Sequence, residues 1–141
     1  MIPVDLSRIL ITETSDQQVI WLKEHQGERS FPIVIGIFEA VAIRRKLNEE
    51  PFERPMTHDL LASVISQLDA QVDKIVVTAL KRTTFYAKIV LRRNGSLVEI
   101  DSRPSDAIAL AVRVEAPIFV EEELFDLVGK PESRVEPDEE K

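Results

Sequence analysis

Apolar residues recur along this chain with two different periods, and these periods divide the chain into strands and helices. In several runs every second position is apolar, which is typical of strands that bury one face. The runs that predict strands are 4–14, 18–24, 30–35, 72–82, 84–93, 96–101 and 117–120. Apolar residues three and four positions apart predict helices over 36–47, 58–70 and 104–115, with a final helical turn over 121–127.

The turns between these runs predict how the strands pair. Ser15 and Asp16 separate the first two strands as a hairpin, and Thr83 separates the two long alternating runs. Asn94-Gly95 is the strongest hairpin signal in the chain. Because the strands arrive in antiparallel groups between helices, we expect an α+β fold. Its mainly antiparallel sheet would contain an N-terminal hairpin and a three-strand meander, packed with three main helices.

The negative charge of the chain is concentrated near its C-terminal end. The 141 residues carry a formal net charge of −7, with −1 over residues 1–120 and −6 over residues 121–141. The end of the sequence is acidic, polar and interrupted by prolines, so it predicts a disordered tail. We therefore expect one domain over residues 1–127 and an acidic tail over residues 128–141.

The composition excludes several classes of protein. Without cysteine the chain has no disulfide, no thiolate metal site and no cysteine nucleophile. Its longest apolar stretches, such as residues 31–38, are much shorter than the roughly 18 residues of a membrane span, and the N-terminus lacks the apolar segment of a signal peptide. These features predict a soluble, cytoplasmic protein. No glycine-rich phosphate loop or dinucleotide fingerprint is present.

Polar residues concentrate where the last strand of the meander gives way to a helix. Asp101, Ser102 and Arg103 end the strand, Pro104 suits the first helical position, and Asp106 suits the first turn. Carboxylates gathered at such a corner can hold Mg²⁺ or Mn²⁺, which activates water and neutralises phosphate. Asp101 and Asp106 are therefore candidate metal ligands. An ion-pair network that only holds the corner together is an equally open interpretation.

A second helix start repeats this composition. Each start combines Arg-Pro, a hydroxyl and an aspartate: Arg54-Pro55, Thr57 and Asp59 in one, and Arg103-Pro104, Ser105 and Asp106 in the other. Helix amides and an arginine at one end suit an anion such as phosphate. His58 lies beside Asp59 and is a candidate proton carrier. The structural alternative is that Thr57 caps the helix, Asp59 is its neighbour, and His58 is a surface residue.

Glu39 is a third candidate acid. It is the single charged residue in the apolar run 35–43. A buried carboxylate needs a partner. We expect Glu39 to pair with an arginine from one of the two Arg-Pro corners, or else to face water.

Four separated motifs together resemble the bifunctional nuclease domain family. They lie, in chain order, at residues 32–40, 54–61, 84–87 and 102–111. The resemblance runs through residues 4–127 and implies a small α+β domain that self-associates as a dimer or higher homo-oligomer. It also implies metal-dependent or metal-assisted nuclease activity on both DNA and RNA. Plant relatives carry an additional UVR motif, to which the acidic tail has nothing similar, so the chain resembles the stand-alone bacterial form.

The resemblance also gathers the candidate residues into one site. The polar set carried onto this chain is Glu39, Arg54, Thr57, His58, Asp59, Asp101, Arg103, Ser105 and Asp106. Our leading hypothesis is a nuclease in which Asp101 and Asp106, with Asp59 or Glu39, position a divalent ion and water. Arg54 and Arg103 would bind the phosphate near Thr57 and Ser105, and His58 would carry a proton. The alternative is a non-catalytic oligomeric interaction domain, or one that binds a small anion.

Overall fold

The computed structural model describes residues 1–12, 14–51 and 53–131. Within these ranges, eight strands and four helices alternate in groups. The strands are β1 (Ile2–Leu10), β2 (Gln17–Glu24), β3 (Arg29–Gly36), β4 (Gln71–Lys81), β5 (Thr84–Arg93), β6 (Ser96–Ser102), β7 (Ile118–Val120) and β8 (Lys130–Pro131). The helices are α1 (Ile37–Leu47), α2 (Thr57–Gln67), α3 (Pro104–Val114) and α4 (Glu122–Val128).

All eight strands belong to one sheet, in the order β6-β5-β4-β7-β1-β2-β3-β8. Neighbouring strands are antiparallel except β4 and β7, which are parallel. The expected hairpin is β1 with β2, and the expected meander is β4, β5 and β6. The short strand β7 lies between these two groups and joins them. The α+β prediction is therefore confirmed.

The ends of the elements differ from the predictions by a few residues. β1 ends at Leu10, whereas we expected its strand to run to residue 14. α2 ends at Gln67, and Asp69 beyond it has a positive φ of 59°. Lys130 and Pro131 pair with β3, so strand pairing continues past residue 127. Residues 132–141, most of the predicted tail, lie outside the described residues.

The sheet curls strongly on itself. β3 and β5 stand five positions apart in the strand order, which in a flat sheet is a separation of about 24 Å. The rings of Phe31 on β3 and Phe85 on β5 nevertheless lie 5.7 Å apart. Phe125 of α4 meets Phe31 edge-to-face at 5.4 Å. This aromatic cluster closes the curl at one end.

Helix α3 is the centre of the core. Every residue from Ala107 to Ala111 is at most 1% exposed. Three alanines among those five residues let α1, α2 and the strands β4 and β5 approach this helix closely. α3 can therefore present charged side chains only near its two ends.

Strand β6 forms an open edge of the sheet. Ile100 pairs with Ile89 of β5, and Val98 pairs with Leu91, so both share the face on which the β5 residues are buried. No helix covers them fully, because Val98 and Ile100 remain 44% and 42% exposed. Within the described residues, no helix is long and apolar enough to cross a membrane.

We expect Phe125→Ala to lower the free energy of unfolding by about 3–5 kcal/mol, because it empties a fully buried site in the aromatic cluster. Urea denaturation followed by circular dichroism measures this loss. Phe38→Ala is the matched control, since Phe38 is 82% exposed and its removal should cost little. Equal losses in the two variants would contradict this description of the core.

Candidate functional site

An open cleft lies between the first turns of α1 and α2 and the end of β6. Its volume is about 1000 Å³. Apolar side chains from both helices and from the β5–β6 pair line most of it: Ile37, Phe38, Val41, Met56, Leu61, Ile89 and Ile100. Polar side chains gather in the same cleft: Glu39, Thr57, His58, Asp101, Ser102, Arg103 and Asp106. Both Arg-Pro helix starts thus contribute to one cleft.

The carboxylate of Asp106 links two of these polar side chains. His58 Nε2 lies 3.0 Å from Asp106 Oδ1. Arg103 donates to Asp106 Oδ2 from Nε at 2.9 Å and from Nη2 at 2.8 Å. Arg103 Nη2 also lies 3.6 Å from Glu39 Oε2. The expectation that Glu39 pairs with an arginine from a helix start is confirmed.

The local backbone explains why these groups meet. Arg103 is the extended N-cap residue of α3, and Pro104 begins the helix with the φ that it favours. Asp106 lies three residues after Arg103 and therefore on the same side of the first turn. His58 is the second residue of α2, and Glu39 is in the first turn of α1. Three helix starts thus meet at the Asp106–Arg103 pair: His58 contacts Asp106, and Glu39 contacts Arg103.

His58 and Arg103 differ in how exposed their side chains are, and so in what each can do. His58 is only 8% exposed, so it is part of the cleft wall and not the surface residue of the structural alternative. The Arg103 side chain is 66% exposed, and its hydrogen bonds to Asp106 raise the pKa of its guanidinium. Arg103 therefore stays charged and can reach an anionic ligand, while His58 holds a fixed position behind it.

Asp59 belongs to a second ion pair, away from the cleft. Its carboxylate accepts a hydrogen bond from Arg113 Nε and another from the Met56 backbone N–H at 2.9 Å. Arg113, whose side chain is 5% exposed, also donates to the Ala42 carbonyl at 3.3 Å. This pair ties α1, α2 and α3 together. The Arg113 guanidinium holds the pKa of Asp59 below its usual value.

The remaining candidate residues are more scattered. Asp101 and Thr57 are exposed and line the cleft. Thr57 is the first residue of α2 and Met56 is its N-cap, so the prediction that Thr57 caps the helix is wrong by one position. Arg54 is exposed and lies outside the residues that line the cleft. Ser105 is buried and faces a separate shallow pocket beside Thr84.

Protein ligands for a divalent ion are few in this arrangement of the described residues. Both oxygens of Asp106 are engaged by His58 and Arg103. Among residues 1–12, 14–51 and 53–131, no three His, Asp or Glu side chains converge as metal ligands. Ca²⁺ takes about six to eight oxygen ligands, whereas Mg²⁺ is often bound by one or two carboxylates together with substrate phosphates and water. The metal role of Asp101 and Asp106 stays a prediction.

The three helices whose starts meet at the cleft all lie within the match to one known sequence family. The sequence model of the bifunctional nuclease domain matches residues 20–133, which include all three of these helices. The chain belongs to this family. The matched range begins within β2, so β1 lies outside it.

Relatives of this domain occur in bacteria and plants. An uncharacterized protein of Mycobacterium tuberculosis is 36% identical over 121 residues, which are 86% of this chain and 72% of that protein. Bifunctional nuclease 2 of Oryza sativa subsp. japonica is 27% identical over 118 residues, covering 81% of this chain and 36% of its own length. Bifunctional nuclease 2 of Arabidopsis thaliana is 27% identical over 92 residues, covering 63% and 28%.

Two features of the site were not identified from the sequence. Arg113 looked like an ordinary basic residue in the last turn of a helix, and its partner Asp59 is 54 positions away. Phe38 ends the apolar run 31–38 and was not a candidate residue, yet it is 82% exposed at the cleft. The clue available for Phe38 was its position beside Glu39 at the start of a helix.

Asp59→Asn should lower the free energy of unfolding at pH 7 by about 3 kcal/mol, because it leaves the buried Arg113 guanidinium without its counter-charge. Since the pKa of Asp59 is lowered by folding, its stabilisation is present above the ordinary carboxyl pKa and is lost as pH falls through the folded value. The difference between wild type and variant should therefore shrink below about pH 4.

Urea denaturation at pH 7 and at pH 3 measures this difference. Asp101→Asn is the matched control, because Asp101 is exposed at the cleft. A difference that stays constant with pH would show that Asp59 stabilises the fold without its charge.

Proposed function

We propose that this chain is a nuclease that hydrolyses phosphodiester bonds of DNA and RNA. The observation that carries the proposal is the contact of Asp106 with His58 and Arg103 in an open cleft. Membership of the bifunctional nuclease domain family supports it, and the plant relatives bear the name bifunctional nuclease.

Arg103 is the group that would bind the scissile phosphate. Its contacts with Asp106 and Glu39 use Nε and Nη2. The guanidinium has five N–H donors, so Nη1 can donate to a phosphate oxygen without breaking these contacts. The carboxylates keep the guanidinium plane in place before substrate arrives, which reduces the entropy lost on binding.

His58 is the candidate proton carrier. Its Nε2 contacts Asp106, so Nδ1 is the nitrogen that would exchange a proton with substrate. In the proposed reaction Nδ1 accepts a proton from water as the water oxygen bonds to phosphorus. The bond from phosphorus to the leaving oxygen breaks, and the proton returns to that oxygen. Asp106 orients the imidazole and is a positioning residue.

Assistance by Mg²⁺ or Mn²⁺ is a separate part of the proposal. Such an ion would neutralise charge on the phosphate, and Asp101 with Asp106 are the predicted ligands. The steps assigned to His58 and Arg103 use no metal ion. Activity with added Mg²⁺, with added Mn²⁺ and with chelator tests this part separately.

His58→Gln and Arg103→Ala should each reduce cleavage of single-stranded DNA and RNA about 100-fold or more, because they remove the proton carrier and the phosphate-binding group. Extensively purified wild type and variants are compared in a gel assay with labelled oligonucleotides. Thermal unfolding of each variant checks that it is folded. The matched control is Asp16→Asn, an exposed carboxylate outside the cleft lining, which should keep wild-type activity. Equal residual cleavage in all four proteins would indicate a contaminating nuclease.

A specific observation also favours the homo-oligomeric interaction domain as a second candidate. Leu60, Val64 and Leu68 recur at a spacing of four along and just beyond α2, and they are 57%, 45% and 56% exposed. An apolar stripe of this kind suits packing against another protein surface. Because the resemblance implies self-association, the proposed occupant is a second copy of the chain.

Leu60→Glu combined with Val64→Glu should convert a dimer or higher oligomer to a monomer, because it places charge in the proposed interface. Light scattering after size exclusion over a range of concentrations measures the assembly. Leu127→Glu is the matched control at another exposed apolar residue. A monomeric wild type at about 100 µM would contradict the proposed self-association.

A further inference from the structure

We propose that the apolar part of the cleft receives one unstacked nucleobase, and that Phe38 is the ring on which this base stacks. This inference rests on the proposed function only in taking a nucleic acid as the ligand. To the proposed function it adds a binding residue, Phe38. It also adds a substrate class, namely strands that have an unpaired base to place in the cleft.

The volume and lining of the cleft suit a largely apolar ligand of nucleotide size. Val41 and Leu61 line it from the two helices, and Ile89 and Ile100 form a cross-strand pair on the sheet side. The volume of about 1000 Å³ is at the upper end of the range of about 300–1000 Å³ typical of small-molecule sites. The cleft is therefore large enough for a nucleotide.

Phe38 places an aromatic ring beside the polar groups. It lines the cleft and is 82% exposed, a large share for a phenylalanine. It directly precedes Glu39, whose carboxylate contacts Arg103. Phe38 and Arg103 line the same cleft, so a base stacked on Phe38 would bring its own phosphate into the cleft that holds Arg103. Stacking of a base on an aromatic side chain contributes about 1–3 kcal/mol.

The charges around the cleft favour a base over a run of phosphates. Three carboxylates line it, from Glu39, Asp101 and Asp106. Arg103 is the one arginine or lysine among the described residues of that lining. A chain of phosphates would meet more negative than positive charge here, whereas a neutral base carries no such penalty. Binding energy should therefore come mainly from the base.

A base that is paired within a duplex is a poor ligand for this cleft. A base within a duplex must leave its stack before it can enter a cleft, which costs a few kcal/mol. The contacts that one arginine and one phenylalanine can make would offset only part of that cost. Unpaired strands and frayed ends are the substrate class that the cleft fits.

The experiment measures binding of fluorescein-labelled oligonucleotides by anisotropy, with chelator present and with gels that confirm the probe is intact. Probes are a single-stranded oligothymidine, a strand of equal length with abasic sites, and a closed duplex without free ends. Proteins are wild type, Phe38→Ala, Phe38→Trp and the control Leu47→Ala, which removes another exposed residue at the far end of α1.

We expect Phe38→Ala to raise the Kd for oligothymidine about tenfold, with no change for the abasic strand, and Phe38→Trp to restore binding. Leu47→Ala should match wild type, and the closed duplex should bind at least about tenfold more weakly than the single strand. The logarithm of the binding constant should fall with the logarithm of salt concentration with a slope of about −0.7 for one phosphate contact, against about −4 for six.

Several results would overturn the inference. One is a Phe38→Ala variant that binds oligothymidine like wild type. Another is a Phe38→Ala variant whose Kd for the abasic strand rises by the same factor as its Kd for oligothymidine. A third is a wild-type protein that binds no oligonucleotide. A change of oligomeric state in Phe38→Ala would instead make Phe38 an intersubunit contact. Base-dependent binding without cleavage would refute the proposed hydrolysis alone, and cleavage unaffected by Phe38→Ala would refute the stacking role alone.

Discussion

Enclosure of helix α3 is the constraint on which the rest of this structure depends. The curled sheet and the helices α1 and α2 surround residues 107–111, so this helix has charged side chains only near its ends. Asp106 emerges in the first turn and Arg113 in the last turn. Arg113, 5% exposed, cannot be left unpaired without a large cost in free energy, and Asp106, 32% exposed, carries a smaller cost of the same kind. Each is paired with a residue from the start of α2, which fixes how that helix lies across α3.

The two pairs have different consequences for chemistry. Arg113 is 5% exposed, and its contacts hold Asp59 of α2 and the Ala42 carbonyl of α1 in place. Asp106 is 32% exposed and contacts one buried imidazole and one exposed guanidinium at the edge of a cleft. The repeated Arg-Pro helix starts thus serve two purposes. The contact of Asp59 with Arg113 holds three helices together, and the contact of His58 with Asp106 places polar groups where a ligand can reach them.

Local patterns of the sequence were sufficient for the elements but not for their long-range contacts. Alternation was sufficient to predict the strands β4 and β5, in which Ile75, Val77, Ala87 and Ile89 share the buried face. The pairing of β7 with β4 carries no such signal. It depends on the curl of the whole sheet, which brings three residues after α3 between two separate groups of strands. Exposed Val98 and Ile100 show the same limit, since alternation does not reveal whether a helix covers the edge.

Candidate site residues divide in the same way. The proximity of Arg103 to Asp106 was predictable, since residues three apart at a helix start share one side. The contact of His58 with Asp106 spans 48 positions and depends on the crossing of two helices. Composition suggested carboxylates free to bind a metal, whereas in the folded chain Asp106 is already engaged by two partners. A phosphate would therefore reach Arg103 through Nη1, which the contacts with Asp106 and Glu39 do not use, and affinity beyond this single contact would have to come from the apolar walls of the cleft.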